Sequence, residues 1–209
     1  MFTQNNEESV ILRYFRHQAP ASLNFLDIGA NDGLSFSNIR QLALNGWSGA
    51  CLEPSPKAYE KLVQNFLDYP GIKNYNFGVS ETSGEMEFHD SGNWVGRDDT
   101  PASILGTLHE SNKGRFYGMN WDVIKCRFVT FKEFIQQHGV SKFDFISIDV
   151  EGHDLVVLRQ INLREVGCQL ICLEHNENPD FITGFTEYCE SFGMREIDRN
   201  RDNIFFAAQ

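Results

Sequence analysis

Short apolar runs alternate with longer segments of helical periodicity along the chain, and this pattern predicts a mostly parallel β-sheet flanked by helices. Two segments near the C-terminus, Arg195–Asp198 and Asn203–Ala208, flank a turn-like stretch and predict a closing antiparallel hairpin. The sequence therefore predicts an α/β fold. The runs predicted as buried strands are Asn24–Gly29, Ala50–Glu53, Lys73–Val79, Phe143–Val150 and Gln169–Leu173.

Helix-start signals support the same architecture. A helix is expected directly after the first strand, with Leu34 facing inward and Gly46 ending it. Three further starts carry capping residues, because Ser, Thr and Asn side chains accept hydrogen bonds from the first free backbone N–H groups of a helix. These starts are Ser55–Pro56, Thr130–Glu133 and Asn178–Pro179.

The 209 residues are expected to form one domain. Segment 91–125 breaks the pattern, because it carries five glycines and no clear periodicity. Long segments of this kind are usually functional or disordered, and the aromatic residues of this one favour an ordered lid or acceptor-binding insertion. Its aromatic residues Trp94, Tyr117 and Trp121 would either stack on a sugar ring or anchor the loop to the domain.

Charge and composition narrow the class of protein. With 18 Lys and Arg against 29 Asp and Glu, the formal charge of −11 repels a phosphate backbone, so no nucleic-acid partner is expected. The chain has no run of 18 apolar residues, and its opening has neither a basic region nor an apolar stretch. Neither a membrane span nor a secretory signal is therefore expected. Five cysteines without a Cys-x-x-Cys pair predict reduced thiols and a cytoplasmic location.

A glycine-containing turn, DIGANDG at 27–33, follows the first predicted strand. In doubly wound sheets, ligands bind outside the carboxyl ends of the strands, where this turn lies. Counted from Gly29, the second and third glycines of the dinucleotide fingerprint are replaced by Asn31 and Leu34, which disfavours a pyrophosphate. A smaller anion, such as an amino-acid carboxylate, suits the turn better.

An acid ends the second predicted strand. Glu53 follows Gly29 by 24 residues, and a carboxylate there can accept hydrogen bonds from both hydroxyls of a ribose. The coincidence of the glycine turn and this acid predicts a nucleoside-binding site.

Carboxylates crowd the ends of the last two parallel strands. Asp149 and Glu151 follow the fourth strand, where buried negative charges are expensive without a cation. Asp154 fits the ordinary preference of acids for a helix N-terminus. The pair Glu174 and His175 closes the fifth strand and is expected to face the same crevice. A bound Mg²⁺ is the alternative use of Asp149, Glu151, Glu174 and His175, although no spacing here is diagnostic of a metal site.

Four segments, in this order, resemble the successive motifs of the FkbM-type S-adenosylmethionine-dependent methyltransferases. The resemblance implies a Rossmann-like methyltransferase fold with S-adenosylmethionine as methyl donor and S-adenosylhomocysteine as product. It also implies O-methylation of a sugar hydroxyl in a glycan or glycosylated metabolite. The segments are FLDIGANDG (25–33), GWSGACLEPSPKAYEKL (46–62), NFGVSETSGEMEF (76–88) and FDFISIDVEGHDLVVL (143–158).

The resemblance also implies roles for individual residues. The 27–33 turn would hold the methionine end of the donor, Glu53 the ribose, and Asp149 would lie beside the methyl group, where the donor's cations would neutralise it. The base that removes the acceptor proton is not uniform in this family, and the candidates follow from position at the strand ends: His175 and Glu151, then His153. The residues expected to bind the donor are Asp27, Gly29, Ala30, Asn31, Gly33, Ser37, Glu53, Pro54, Gly78, Val79 and Asp149. No metal is included in this set.

Two other classes stay open. A nicotinamide-dependent oxidoreductase would use the same fold, but the missing second glycine and the absence of a Tyr-x-x-x-Lys pair disfavour it. A non-catalytic nucleoside-binding or glycan-binding module would keep the fold without the chemistry. The expected partner is a carbohydrate or glycoconjugate acceptor. The sequence specifies no oligomeric state, and it fits both a free-standing chain and a domain of a longer glycan-synthesis protein.

Overall fold

The computed structural model describes residues 2–90, 106–108, 121–139 and 141–209. Its α-helices are α1 (Glu7–Tyr14), α2 (Arg40–Leu44), α3 (Pro56–Asn65), α4 (Phe131–His138), α5 (Asp154–Leu158) and α6 (Pro179–Ser191), with a 3₁₀ turn at Pro20–Ser22. Its strands are β1 (Asn24–Ile28), β2 (Ser48–Leu52), β3 (Ile72–Tyr75), β4 (Gly78–Val79), β5 (Gly84–Asp90), β6 (Gly106–Thr107), β7 (Asp122–Val129), β8 (Phe145–Ile148), β9 (Leu170–Glu174), β10 (Met194–Arg199) and β11 (Asn203–Ala208).

A seven-stranded sheet organises the molecule, in the order β10-β11-β9-β8-β1-β2-β3. The five strands from β9 to β3 are parallel. The last strand, β11, is antiparallel to both of its neighbours, β9 and β10. The structure therefore confirms the predicted mostly parallel sheet and its closing antiparallel hairpin.

The central strands β1, β8 and β9 are buried on both faces, which explains why they are apolar almost throughout. Successive side chains of a strand point to opposite faces. In β1, Leu26 and Ile28 pack into one apolar cluster. Phe25 packs into the other, together with Phe145 of β8. Asp27, on the same face as Phe25, is an acid inside an otherwise apolar pattern, and this contrast marks the end of the strand as a functional position.

The predicted third strand, Lys73–Val79, is in fact two strands in two sheets. Ile72–Tyr75 pairs with β2 at the edge of the large sheet. Gly78–Val79 instead pairs with β7 in a four-stranded sheet of order β4-β7-β5-β6. The alternation of Tyr75, Phe77 and Val79 with Asn or Gly continues through the break, so the sequence could not show that the chain changes sheets.

The predicted first helix starts later than expected. Residues 31–39 form a loop, α2 begins only at Arg40, and Leu34 is exposed instead of facing inward. Asp32 Oδ1 accepts hydrogen bonds from the Leu34 and Ser35 N–H groups at 2.9 and 2.7 Å. Side chains that bind nearby backbone groups compete with helix formation, and here the loop prevails.

The three helix starts predicted from capping residues are confirmed. The side chains of Ser55, Thr130 and Asn178 accept hydrogen bonds from backbone N–H groups at the starts of α3, α4 and α6. The capping box at α4 is completed through a third residue. Ser83 Oγ accepts from the Thr130 N–H and donates to the Glu133 carboxylate.

Most of segment 91–125 lies outside the described residues, as do Trp94 and Tyr117 of the predicted lid. The described end of the segment contains the start of β7, a strand that the sequence pattern did not predict. Its first two residues, Asp122 and Val123, are both exposed, and the alternation of buried and exposed side chains begins only at Ile124. Among the described helices, none combines the length and the apolar character needed to cross a membrane.

Candidate active site

A cleft opens at the carboxyl ends of β1, β2 and β8, and residues of the smaller sheet form part of its wall. The convergence follows from topology, since parallel neighbouring strands end at one edge of a sheet. Ten of the eleven residues predicted to bind the donor line this cleft. They are Asp27, Gly29, Ala30, Asn31, Ser37, Glu53, Pro54, Gly78, Val79 and Asp149.

Gly29 allows the loops after β1 and β8 to touch. Its backbone has φ +91°, and a Cβ atom placed there would lie 1.8 Å from the backbone oxygen of Asp149. Gly33, the eleventh predicted residue, is outside the cleft. A Cβ at Gly33 would lie 2.4 Å from the Phe66 ring and 2.6 Å from Leu62, so this glycine makes room for α3.

Glu53 links the loop after β1 to the start of α3 through hydrogen bonds at the floor of the cleft. Its Oε2 accepts a hydrogen bond from the Asn31 N–H at 2.9 Å, and its Oε1 accepts from the Ser55 N–H at 2.8 Å. Burial raises the pKa of Glu53 to about 7, although both amide hydrogen bonds act in the opposite direction. A carboxylate has about four acceptor positions, so each oxygen keeps capacity for one more donor, such as a hydroxyl.

Asp27 is buried at the end of β1. Burial, and secondarily the negative charge of Asp149, raises the pKa of Asp27 to about 7, and a hydrogen bond with the Ser147 side chain opposes this rise. A cation placed between these carboxylates would favour their ionised forms. The site is therefore built to gain from a positively charged ligand.

Three further carboxylates meet at the ends of β8 and β9. One oxygen each of Asp149, Glu151 and Glu174 can be chosen so that all three lie within 4.8 Å of one another. Glu151 has φ +52°, and its backbone oxygen accepts a hydrogen bond from Thr107 Oγ1 at 2.9 Å. Oxygen ligands at this spacing could hold a divalent cation or face a cationic organic ligand. The described lining of the cleft contains five acids and neither Lys nor Arg.

The predicted bases are placed differently from one another. Glu151 and His153 line the cleft, and His153 Nε2 lies 3.2 Å from Ser80 Oγ. His175 is absent from the described lining. The Nδ1 atom of His175 accepts a hydrogen bond from the Glu177 N–H at 3.0 Å, and the backbone N–H of His175 donates to the Asp202 carbonyl in the hairpin turn. The expectation that His175 faces the crevice is therefore wrong, because the chain turns toward the hairpin directly after Glu174.

Asp154 has the structural role expected of an acid at a helix start. It is fully buried, and its two oxygens accept hydrogen bonds from the Val150 and Gly152 N–H groups at 3.1 and 2.9 Å. These bonds fix the loop that carries Glu151 at the cleft.

Several lining residues were not predicted from sequence. Gln4 lies far from every motif, and Phe36 belongs to the segment that was expected to be helical. No sequence signal marks Gln4, whereas the polar run around Phe36 could have indicated a loop. The others are Ile28, Ser35, Asn38, Phe88, Gly106, Leu108, Phe128, Ser147 and Val150, whereas Glu174 faces the cleft as expected.

Comparison with known proteins defines the class of this chain. The family model for the methyltransferase FkbM domain matches residues 27–203, which run from the end of β1 to the start of β11. The chain therefore belongs to the FkbM methyltransferase family, and its enzymatic class is that of a methyltransferase.

The individual proteins that resemble this chain share low sequence identity with it. The chain is similar to the hexuronic acid methyltransferase AglP of Haloferax volcanii, with 24% identity over 201 residues, covering 94% of this chain and 75% of the relative. Its fold resembles the crystal structure of an FkbM methyltransferase from Methylobacillus flagellatus, with a TM-score of 0.55, 12% identity and 98% of this chain covered. This chain spans 56% of the length of that protein. A proposed RNA methyltransferase from Pyrococcus horikoshii shares the fold at a TM-score of 0.51 and 12% identity, covering 97% of this chain and 81% of that one.

Proposed function

We propose that this chain transfers a methyl group from S-adenosylmethionine to a hydroxyl of a sugar. The observation that carries the proposal is the charge of the cleft, whose described lining has five acids and no basic side chain. The methyl donor carries a sulfonium and an ammonium, and these two cations match the acids at the strand ends. A nicotinamide dinucleotide, with its anionic pyrophosphate, is the wrong ligand for such a surface.

The cleft residues fit this donor. Glu53 has free acceptor capacity for ribose hydroxyls, and Asp27 with Asp149 would gain from a neighbouring cation. The close approach at Gly29 brings the loops after β1 and β8 together at the cleft. Gly78 and Val79 line the cleft where the adenine is expected to lie.

When bound, the donor supplies an electrophilic methyl carbon, so that the acceptor oxygen–carbon bond forms as the carbon–sulfur bond breaks and the hydroxyl proton leaves. The chain's own task is to align the acceptor with the donor and to exclude water. Such alignment can lower the reaction barrier by roughly 7–11 kcal/mol. A positioned base adds about 10²–10⁴-fold. Glu151 is our first candidate for this base and His153 the second, because both line the cleft.

The acceptor is proposed on different grounds. A relative is described as a hexuronic acid methyltransferase, which supports a carbohydrate acceptor.

The net charge of −11 supports the expectation that no nucleic acid binds, and this stays a prediction because a fold neighbour is a proposed RNA methyltransferase. Five buried, unpaired cysteines support the proposed cytoplasmic location.

Calorimetric titration followed by a transfer assay tests the proposal. S-adenosylmethionine and S-adenosylhomocysteine should release or absorb heat at a 1:1 ratio, while NAD should not. Radiolabelled methyl should then appear in a glycoside from a panel of simple sugars. NAD binding alone would favour an oxidoreductase, and donor binding without transfer to any saccharide would favour a binding module.

The proposed base has its own test. Glu151→Gln keeps the size of the side chain but cannot take a proton, so kcat should fall about 10²–10⁴-fold while the donor Kd stays within twofold. Glu60→Gln, at an exposed position on α3, is the matched control and should leave kcat unchanged. If Glu151→Gln retains full kcat and His153→Gln loses it, the role passes to His153.

A further inference from the structure

Two exposed side chains stand out on the wall of the cleft. Among the described residues that line it, Phe36 and Gln4 alone are exposed, and every other one is buried or half-buried. Phe36 leaves 60% of its surface open. A large aromatic ring held in this way at a binding cleft offers apolar area to a ligand.

The backbone fixes Phe36 in this position. Its φ of +55° lies in the left-handed region, which is unusual for a bulky residue. Asp32 holds the loop on one side, through the Ser35 N–H and Ser35 Oγ at 2.7 and 2.9 Å. On the other side, Ser37 Oγ accepts from the Arg40 N–H at 3.1 Å. The ring is therefore presented by a hydrogen-bonded loop.

The backbone next to Gln4 is fixed independently, by hydrogen bonds of Asn5 and Glu7 that reach the C-terminal hairpin. The next residue, Asn5, donates from Nδ2 to Asp202 Oδ2 at 2.8 Å and from its N–H to Glu7 Oε2 at 2.8 Å. The buried Glu7 carboxylate in turn accepts from the side chains of Asn200 and Asn203 at 2.8 and 3.0 Å. These bonds hold the N-terminal segment against the hairpin turn.

Both residues lie on the side of the cleft away from the expected adenosyl site. Asn38, two residues after Phe36, donates to Ser147 Oγ of β8 at 3.2 Å and approaches Cys172 of β9. The hairpin turn near Gln4 lies beside the end of β9, because the first residue of β11 pairs with the last residue of β9. Glu53 and Gly78 are on the opposite side, beyond β1, with Asp149 between the two regions.

We infer that Phe36 and Gln4 form the acceptor subsite, in which the Phe36 ring stacks on the apolar face of a sugar and the Gln4 amide binds its hydroxyls. The inference rests on the proposed function and adds the residues that select the acceptor. The described lining has no Lys or Arg, so the subsite suits an unphosphorylated sugar.

Saturation-transfer NMR tests the subsite with the methyl glycosides of glucose, galactose, mannose, rhamnose and glucuronic acid, on protein saturated with S-adenosylhomocysteine. Transfer to the C–H protons of at least one glycoside is expected. Phe36→Ala should weaken binding of that glycoside about tenfold, Phe36→Trp should restore it, and Gln4→Ala should weaken it several-fold. Leu67→Ala is the control, because Leu67 is apolar and 77% exposed and does not line the cleft.

Calorimetry with S-adenosylhomocysteine separates the possible failures. Unchanged glycoside binding in Phe36→Ala, or no glycoside bound by wild-type protein that binds the donor product, overturns the subsite but leaves the donor site intact. A loss of donor-product affinity in Phe36→Ala also overturns it, because Phe36 would then belong to the donor site. Absence of donor-product binding in the wild type would instead contradict the proposed function.

Discussion

Replacing Gly29 with alanine tests the contact between the loops after β1 and β8. The added Cβ would meet the Asp149 backbone oxygen at 1.8 Å, far inside any normal contact distance, and a backbone atom cannot rotate away. We therefore expect Gly29→Ala to separate the two loops, destabilise the fold and abolish donor binding.

The chain provides a matched control for this substitution. Gly46 has the same φ of +91°, but a Cβ placed there would meet nothing within 4 Å. Both variants bear the left-handed backbone penalty of roughly 1–2 kcal/mol. Only Gly29→Ala adds overpacking, typically about 1–3 kcal/mol. The expected losses of unfolding free energy are thus about 2–5 kcal/mol for Gly29→Ala and about 1–2 kcal/mol for Gly46→Ala.

Urea unfolding measures the two losses, and calorimetry with S-adenosylmethionine measures the consequence for the site. Gly46→Ala should bind the donor as wild type does, whereas Gly29→Ala should show no heat of binding at temperatures where it is still folded. Equal destabilisation by the two substitutions, with donor affinity retained in both, would refute the role assigned to the loop contact.

Three further predictions follow from the site and its supports. The pKa values of Asp27 and Glu53 are both raised to about 7 in the folded protein. The native state therefore keeps protons that the unfolded chain releases from about pH 4 upward. The unfolding free energy of the ligand-free protein should consequently fall between pH 4 and 7. Moving one such carboxyl from 3.8 to about 7 corresponds to about 4 kcal/mol, and Asp27→Asn should flatten the slope in urea titrations; an unchanged slope would contradict it. Thr130→Ala should reduce stability by about 0.5–2 kcal/mol in the same assay through loss of the α4 cap, and no change would show that Ser83 holds the helix start alone. Methyl transfer should survive EDTA if the donor's charge neutralises the carboxylates, whereas loss of activity restored by Mg²⁺ would assign Asp149 and its neighbours to a metal.

Sequence periodicity predicted the centre of the large sheet well because strands β1, β8 and β9 are buried on both faces. A parallel strand covered on both sides reads as a continuous apolar run, so segments such as Phe143–Val150 are visible without further information. Capping residues located helix starts for an equally local reason, since Ser55 and Asn178 bond to N–H groups only two or three residues away. What depends on neighbours in sequence can be predicted from sequence.

The rest depends on contacts that are distant along the chain. The break between β3 and β4 follows from pairing with β7, some 50 residues later, and periodicity carries no trace of it. Gly33 resembles a ligand-binding glycine but is required by the Phe66 ring. Gln4 reaches the cleft through Asn5 and the hairpin turn near the other end of the chain. His175 was misplaced because a strand end fixes where the backbone stops, while the turn that follows decides where the side chain points.

A structure of the complex with S-adenosylhomocysteine tests the central claim, that the carboxylate-lined cleft holds the methyl donor. The ribose hydroxyls should lie within hydrogen-bond distance of Glu53, with the sulfur on the Asp149 side of Gly29 and the adenine against Gly78. Ligand density elsewhere on the molecule, or an empty cleft at saturating concentration, would contradict the account.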